Sequence, residues 1–186
     1  MEIAETALLS GLIFFGARLV VQNFRVDGPS MHPTLADTQF LLVNKLAYIA
    51  STPARGDVVV FRSPRSPNED LVKRVIALPG ETIEIRDGFV YVGGLRLDES
   101  GYFPESSLPA LAARTVPADA YFVMGDNRAH SRDSRSIGPI PRGAIVGRVW
   151  SVYWPPNAFG PLAGVSPTLE PAPQRAAAPA TLAIGR

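Results

Sequence analysis

Six short runs rich in Val, Ile, Phe and Tyr follow one another between residues 38 and 154. They read TQFLLVNK, GDVVVFRS, DLVKRVIAL, ETIEIRDGFVYV, DAYFVMG and AIVGRVWSVYW. Runs of this length, bounded by Gly, Pro, Asp and Asn, are typical of strands. Asp87 and Gly88 separate two of them and predict a two-residue hairpin turn. The sequence therefore predicts a mostly β domain, with strands forming an antiparallel or barrel-like sheet.

An apolar segment precedes these runs. Residues 3–21 read IAETALLSGLIFFGARLVV, and as a helix they would extend about 28 Å, close to the roughly 30 Å hydrocarbon core of a bilayer. The charged residues Glu5 and Arg18 lie near the two ends of the segment. This pattern predicts a marginal transmembrane helix, with residues 1–22 as a membrane anchor.

Two other interpretations of this segment are a cleaved secretory signal and a buried core helix. A cleaved secretory signal fits poorly, because the leading residues are acidic and no A-x-A site follows. A buried core helix is the remaining alternative. Arg18 and Arg25 follow the apolar run and no basic residue precedes it, so the positive-inside rule weakly favours the C-terminal part on the inner side.

The length of 186 residues favours one domain with appendages. We assign residues 23–154 to the β-rich domain. Pro and Ala supply fifteen of the thirty-two residues in 155–186, and no helical or strand period is present there. The composition predicts a largely disordered tail.

Composition excludes several kinds of site. The absence of cysteine rules out disulfides, thiolate nucleophiles and Cys-based metal sites. Eighteen Lys and Arg residues balance seventeen Asp and Glu residues, and no basic block suggests a nucleic-acid partner. No metal and no organic cofactor is predicted.

Ser30 lies within a proline-rich stretch, DGPSMHPTL at residues 27–35. Proline fixes φ and restricts the residue before it, so Pro29 and Pro33 stiffen the chain around the serine. A stiff bend can present a hydroxyl group for nucleophilic attack. The same residue types suit an ordinary turn, and both interpretations stay open from these residues.

Lys73 lies in the predicted strand DLVKRVIAL. Strand alternation places it on the same face as Leu71 and Val75. An apolar environment lowers the pKa of a lysine and suits it to act as a base. The alternative is an edge-strand lysine that discourages aggregation.

A third polar cluster follows the strand DAYFVMG, where residues 124–139 read MGDNRAHSRDSRSIGP. An ordinary turn does not require so many polar side chains. A solvated Ω-loop or an ion-binding loop is the simpler explanation, although the acidic residues do not match EF-hand spacing. The two histidines of the chain, His32 and His130, are far apart in sequence and are weak evidence for a metal site.

The apolar segment followed by GPSMHPTL, RGDVVVF, KRVIALPGE and GDNRAHSRDSR resembles type I signal peptidase (leader peptidase) in its small single-anchor form. The resemblance covers about residues 3–154. It implies a serine endopeptidase with a Ser-Lys dyad, in which Ser30 is the nucleophile and Lys73 the general base. It also implies that Ser131 hydrogen-bonds and orients the lysine, and that Asp133 braces the loop.

The resemblance assigns Asp126, Arg128 and Arg135 as structural charges of that loop. It further implies that the Ser30 N–H stabilises the oxyanion, while Gly28 stands where some members carry a serine. Ala129 and His130 also depart from the Asp-Asn that members often carry. His130 leaves a rival mechanism open, a triad of Ser30 with His130 and either Asp126 or Asp133, and His32 is another candidate base.

The resemblance implies an anchored enzyme with its catalytic domain on the outer face of the cytoplasmic membrane. Its substrates would be preproteins with signal peptides, bound as an added strand and cut after A-x-A sites. Membrane lipid and the secretion translocon would be its neighbours. The aromatic residues Trp150, Tyr153 and Trp154 suit a membrane interface or core packing equally.

Two other functions remain open. A related Ser-Lys autoprotease would share the β fold, but it would need a DNA-binding helix-turn-helix and would lack a membrane helix. A membrane-tethered β-domain without catalysis would use Ser30 as a turn residue and Lys73 as an edge guard.

Overall fold

The computed structural model describes residues 2–103 and 108–171 of the chain. Helix α1 (Glu2–Val20) comes first and a short helix, α2 (Ser134–Ile137), lies late in the chain. Three 3₁₀ helices are Arg128–His130, Arg142–Ala144 and Pro156–Ala158. The strands are β1 (Val21–Arg25), β2 (Phe40–Asn44), β3 (Val58–Ser63), β4 (Ser66–Ala77), β5 (Thr82–Arg86), β6 (Phe89–Val92), β7 (Leu95–Leu97), β8 (Leu111–Thr115), β9 (Ala120–Met124), β10 (Ile140–Pro141), β11 (Ile145–Trp154), β12 (Gly160–Pro161) and β13 (Leu169–Glu170).

The strands form two antiparallel sheets. The large sheet has the order β1-β2-β11-β3-β4-β9-β10, with β12 paired to β11. The small sheet has the order β13-β7-β6-β5-β8. The predicted mostly β, antiparallel architecture is confirmed, whereas the division into two sheets was not predicted.

The centre of the large sheet is buried on both faces. In β3, Val58 and Val60 belong to one apolar cluster, while Val59 and Phe61 belong to another on the opposite face. Successive side chains of a strand point to opposite faces, so a strand covered on both sides has no polar alternation. This explains the continuous apolar run VVVF.

The small sheet packs on the end of β4. Ile76 and Ala77 of β4 share a core cluster with Ile83 and Ile85 of β5. The predicted hairpin turn joins β5 to β6, where Arg86 pairs with Phe89 across a two-residue loop. Asp87 and Gly88 have φ of 51° and 82°, the positive values that a type I′ turn requires.

Helix α1 carries exposed apolar side chains. Ile3, Leu8, Leu9 and Leu12 are between 58% and 88% exposed, so these side chains do not form the buried core helix considered as an alternative. In the part of the chain that the structure describes, no helix is both long enough and apolar enough to cross a membrane. The single-pass helix predicted for residues 3–21 is therefore not found.

Residues 155–171 depart from the predicted disordered tail. β12 pairs with β11 of the large sheet, and β13 pairs with β7 of the small sheet. We call residues 159–171 the C-terminal strap, since they connect the two sheets. Leu162 packs on the core of the large sheet, and Val165 and Leu169 pack on that of the small sheet. Because these residues contact different parts of the domain, their apolar side chains follow no single helical or strand period. Residues 172–186 of the predicted tail lie outside the described residues.

The strap passes closely over Gly56. This glycine has φ of +92°, and a Cβ at its position would overlap the carbonyl oxygen of Val165 and contact Pro167. The residue therefore has to be glycine for two reasons, its backbone conformation and the close approach of the strap.

We expect Gly56→Ala to lower the free energy of unfolding by more than Gly80→Ala. Gly80 has a similar φ of +81° with nothing within 4 Å of an added Cβ, so its substitution costs only the left-handed backbone strain, about 1–2 kcal/mol. Gly56→Ala should cost roughly 3 kcal/mol or more, because the strap must also move. Urea denaturation of both variants measures the difference, and equal losses would show that the strap contact contributes nothing.

Candidate active site

Ser30 follows β1 in a tight turn anchored in the core. Met31 and Leu35 are completely buried in the cluster beneath β2 and β11, and the His32 N–H donates to the Pro29 carbonyl oxygen over 3.0 Å. Ser30 itself is half-buried. The turn and the nucleophile interpretations are thus compatible, because the turn is what holds the serine side chain in place.

Lys73 reaches Ser30 from the middle of β4. Its Nζ lies 2.8 Å from Ser30 Oγ and 2.8 Å from the carbonyl oxygen of Val72. Lys73 is 2% exposed and is paired with Val59 of β3, on a face that also carries Val75. Burial lowers its pKa to about 8, although the nearby Asp133 carboxylate opposes this shift. A neutral amine is therefore accessible near physiological pH.

Gly125 brings the polar loop after β9 against the Ser30 segment. A Cβ at this position would overlap both the Ser30 carbonyl oxygen and Ser131 Oγ. Two residues further along the loop, the Asn127 N–H donates to the same Ser30 carbonyl oxygen over 3.1 Å. Sequence reasoning missed Gly125; its signal was a glycine between the strand DAYFVMG and the polar cluster.

Asp126 forms a buried bidentate ion pair with Arg74. Arg74 Nε donates to Asp126 Oδ1 over 2.8 Å, and a terminal nitrogen of Arg74 donates to Oδ2 over 2.7 Å. Both side chains are at most 1% exposed. The Thr34 hydroxyl also donates to Asp126. Sequence reasoning missed Arg74 and Thr34, although an arginine within an apolar strand is itself a signal for a buried partner.

Asp133 and Arg135 brace the far end of the loop. Asp133 accepts from the Gly125 N–H over 3.0 Å and from Arg135 Nε over 2.9 Å. Burial disfavours its charged form, yet the hydrogen bonds and charge of Arg135 and the Gly125 N–H hold the pKa of this carboxyl below its usual value. An ionised Asp133 therefore ties the end of the loop to its beginning.

Arg128 connects the loop to the segment between β7 and β8 of the small sheet. Its guanidinium donates to both carboxylate oxygens of Glu99, and its Nε donates to the Gly125 carbonyl oxygen over 3.0 Å. Glu99 is 8% exposed. Sequence reasoning missed Glu99, and the surrounding residues DESGY gave no signal for it.

Ser131 is not bonded to Lys73 in this structure. Its Oγ is buried and lies close enough to Asp133 to help hold the pKa of that carboxyl below its usual value, while the lysine amine is engaged by Ser30 and Val72. The hydrogen bond to Lys73 implied by the family resemblance is therefore not made here.

The structure does not assemble the rival histidine triad. His130 is exposed, and its Nδ1 lies 3.2 Å from Asn127 Oδ1. The carboxylates of Asp126 and Asp133 are engaged by arginines. His32 is also exposed. Among residues 2–103 and 108–171, no three His, Asp or Glu side chains converge as metal ligands would.

An open cleft contains Ser30 and Lys73. Its other walls come from β1, from a residue two positions after β1, and from β2, β3 and β4. The lining residues are Phe24, Arg25, Asp27, Leu41, Val60, Glu69, Asp70, Leu71 and Val72. β9 pairs with β4 only from Arg74 onward, whereas β3 pairs with β4 along the preceding residues. The outer edge of β4 before Arg74 is thus available to another strand.

We expect Asp126→Asn to destabilise the protein strongly, because it leaves the buried Arg74 guanidinium without its counter-charge. The loss of unfolding free energy should be about 3–5 kcal/mol. Glu69→Gln is the matched control, since it breaks an ion pair with Arg132 whose side chains are 42% and 52% exposed, and such pairs contribute at most about 1 kcal/mol. Urea denaturation compares the two, and a small loss for Asp126→Asn would contradict a central role for the buried pair.

Comparison with known proteins shows the family of the chain. The family model described as signal peptidase, peptidase S26, matches residues 1–154. Signal peptidase I of Leptolyngbya laminosa is 38% identical over 170 residues, covering 87% of this chain and 83% of that protein. Signal peptidase IB of Staphylococcus aureus is 33% identical over 174 residues, covering 84% and 90%. A crystal structure of a signal peptidase I from Enterococcus faecalis is 34% identical, covers 53% of this chain and 97% of that chain, and has a TM-score of 0.48. The chain belongs to the signal peptidase family, peptidase S26.

Proposed function

We propose that this serine peptidase cleaves signal peptides from preproteins with Ser30 as nucleophile and Lys73 as general base. The observation that supports the dyad most directly is the 2.8 Å approach of Lys73 Nζ to Ser30 Oγ. A base must lie within hydrogen-bond reach of the proton that it removes. Burial of the lysine supports the same roles, because it lowers the pKa to about 8.

The reaction then proceeds in two stages. Neutral Lys73 takes the Ser30 hydroxyl proton while Oγ attacks the scissile carbonyl carbon, and the Ser30 N–H donates to the developing oxyanion. The Lys73 ammonium next returns the proton to the nitrogen of the leaving chain as the C–N bond breaks. Neutral Lys73 finally deprotonates a water that attacks the acyl carbon. The ester bond to Ser30 Oγ then breaks, the Lys73 ammonium returns its proton to Oγ, and the signal peptide leaves with a carboxyl end.

We propose that Ser131 and Asp133 position the lysine during these steps. An ammonium has three N–H donors, and Ser30 and Val72 accept two of them. The buried Ser131 hydroxyl, which lies beside Asp133, can donate to that carboxylate and accept the third N–H once Lys73 is protonated. Asp133 holds that loop to Gly125, and Asp126, Arg128 and Arg135 serve as its structural charges.

The substrate binds as an added strand along the open edge of β4. Main-chain hydrogen bonds to residues 69–73 supply affinity in this mode, and side-chain pockets supply specificity. Leu41, Val60 and Val72 line the cleft and suit small apolar side chains. This arrangement supports cleavage after A-x-A sites.

We expect Ser30→Ala and Lys73→Ala to lower kcat/KM for a preprotein with an A-x-A site by at least about 10²–10⁴-fold. Lys73→Arg should be equally inactive, because a guanidinium cannot act as a base. In the wild type, kcat/KM should rise with pH through about 8, where burial places the pKa of Lys73, since only the neutral amine accepts a proton. The measurement is initial cleavage rate in detergent from pH 6 to 9.5.

His130→Ala is the control for the base, and circular dichroism confirms that each variant is folded. Cleavage by Lys73→Ala together with loss of cleavage in His130→Ala would overturn the dyad in favour of the histidine triad. A folded wild type that cuts no preprotein would leave a non-catalytic binding domain as the function, and cleavage of its own chain alone would indicate an autoprotease.

We further propose that residues 1–22 attach the domain to the cytoplasmic membrane, with the catalytic domain on the outer face, near lipid and the translocon. The exposed apolar side chains of α1 support attachment. In the second half of β11 and after it, Trp150, Trp154 and Phe159 are 57%, 53% and 72% exposed. Aromatic residues with this exposure favour the interfacial layer of a bilayer, rather than the alternative of core packing.

We expect vesicles of mixed zwitterionic and anionic lipid to shift the tryptophan emission of the full chain to shorter wavelength and to protect it from acrylamide. Trp150 and Trp154 are the two tryptophans of the sequence, so the signal reports this surface directly. Trp150→Ser is the matched variant, which should lower the partition of protein into the vesicle pellet. Unchanged emission on full binding to vesicles would place these aromatic residues away from the membrane.

A further inference from the structure

The two histidines of the chain line one pocket, although nearly a hundred residues separate them in sequence. This histidine pocket is formed by the residues after Ser30, by the loop after β9 and by the segment after β7. Its lining residues are His32, Pro33, Tyr102, Phe103, Asp126, Asn127, Arg128, Ala129 and His130. It shares no lining residue with the cleft that contains Ser30 and Lys73.

The histidine pocket begins next to the nucleophile. The hydrogen bond from the Asn127 N–H to the Ser30 carbonyl oxygen joins the two segments that form its walls. His32 is two residues from Ser30 in one segment, and His130 directly precedes Ser131 in the other. The histidine pocket therefore adjoins the Ser30 backbone and has walls separate from those of the catalytic cleft.

A substrate cut at Ser30 extends to both sides of the cleaved bond. In the proposed binding mode, the signal-peptide side of the substrate lies along the open edge of β4 and contacts the apolar walls of the cleft. The side that becomes the mature chain leaves as an amine and needs a path away from that cleft. An extended chain advances about 3.3 Å per residue, so three residues after the cut cover about 10 Å and can reach this pocket.

The charges of the histidine pocket are already neutralised. Asp126 is paired with Arg74, and Arg128 with Glu99. The Arg128 guanidinium also lies over the Phe103 ring, 4.4 Å from its centroid. His130 Nδ1 and Asn127 Oδ1 lie 3.2 Å apart, so the groups that remain for a ligand are the His32 imidazole, His130 Nε2 and the Asn127 NH₂. Together they can donate and accept hydrogen bonds.

We propose that the histidine pocket binds the first residues of the mature chain, and that His32 and His130 favour a hydrogen-bonding side chain over an apolar one of equal size there. This inference rests on the proposed peptidase function. The dyad employs neither histidine, so the effect of the histidines on substrate preference can be separated from catalysis.

The test uses one preprotein with an A-x-A site in which each of the first three mature residues is changed in turn to Asn or Leu. These side chains are nearly isosteric and uncharged, so the comparison removes size and charge and measures the preference for a polar over an apolar side chain. For wild type we expect kcat/KM to favour Asn about 3–10-fold at one or more of the positions; the ratio is modest because the imidazoles are exposed to competing water.

The variants separate hydrogen bonding from shape. His32→Phe with His130→Phe keeps an aromatic ring at both positions and should reduce the Asn-to-Leu ratio to about 1 or below. His32→Gln with His130→Gln keeps donors and acceptors and should retain a ratio above 1. Arg114→Gln, an exposed change on β8 of the small sheet, should leave the wild-type ratio and rate unchanged.

The outcomes distinguish failure of the histidine-pocket proposal from failure of the peptidase proposal. A wild type that cleaves the preprotein but shows no preference at any of the three positions would overturn the histidine-pocket inference and leave the peptidase intact. A preference that survives in the double Phe variant would also overturn it, since the source would then lie elsewhere. No cleavage of any preprotein by folded wild type would instead refute the peptidase proposal.

Discussion

The buried ion pair between Arg74 and Asp126 joins the middle of β4 to the loop after β9, and the candidate active site depends on this connection. Removing two charges from water is favourable only when each meets its partner in good geometry, so the pair tolerates few other positions of the loop. Lys73 directly precedes Arg74, and Asn127 directly follows Asp126. The pair therefore helps to place the lysine amine at Ser30 Oγ and the Asn127 N–H at the Ser30 carbonyl oxygen.

The same region carries a conflict between stability and chemistry. Lys73 is buried against apolar neighbours, and this burial disfavours its charged form. An apolar residue there would pack at no such cost. The arrangement suits a base, since burial lowers the pKa of the amine to about 8. Surrounding ion pairs, such as that of Arg128 with Glu99, hold the neighbouring backbone in place.

Some predictions from the sequence succeeded because they rest on local rules. The hairpin at Asp87 and Gly88 follows from their tolerance of positive φ, and the face shared by Lys73 and Val75 follows from strand alternation. The prediction of a disordered tail was wrong for residues 155–171. Val165 and Leu169 are partly buried against the small sheet, although the apolar residues of this segment do not follow a helical or strand period. The composition of a segment indicates whether it can fold alone. It does not indicate whether a neighbouring sheet offers an apolar surface on which the segment can pack.

By itself, the sequence determined the β class, the candidate nucleophile and base, and the polar loop, since strand periodicity, proline geometry and motif order are properties of the chain. The tertiary structure decided which charges meet. The pairing of Arg74 with Asp126 and of Arg128 with Glu99 joins residues 52 and 29 positions apart, and no local rule relates such residues. It also separated the histidines from the catalytic pair, because only the folded backbone determines which side chains line the same pocket.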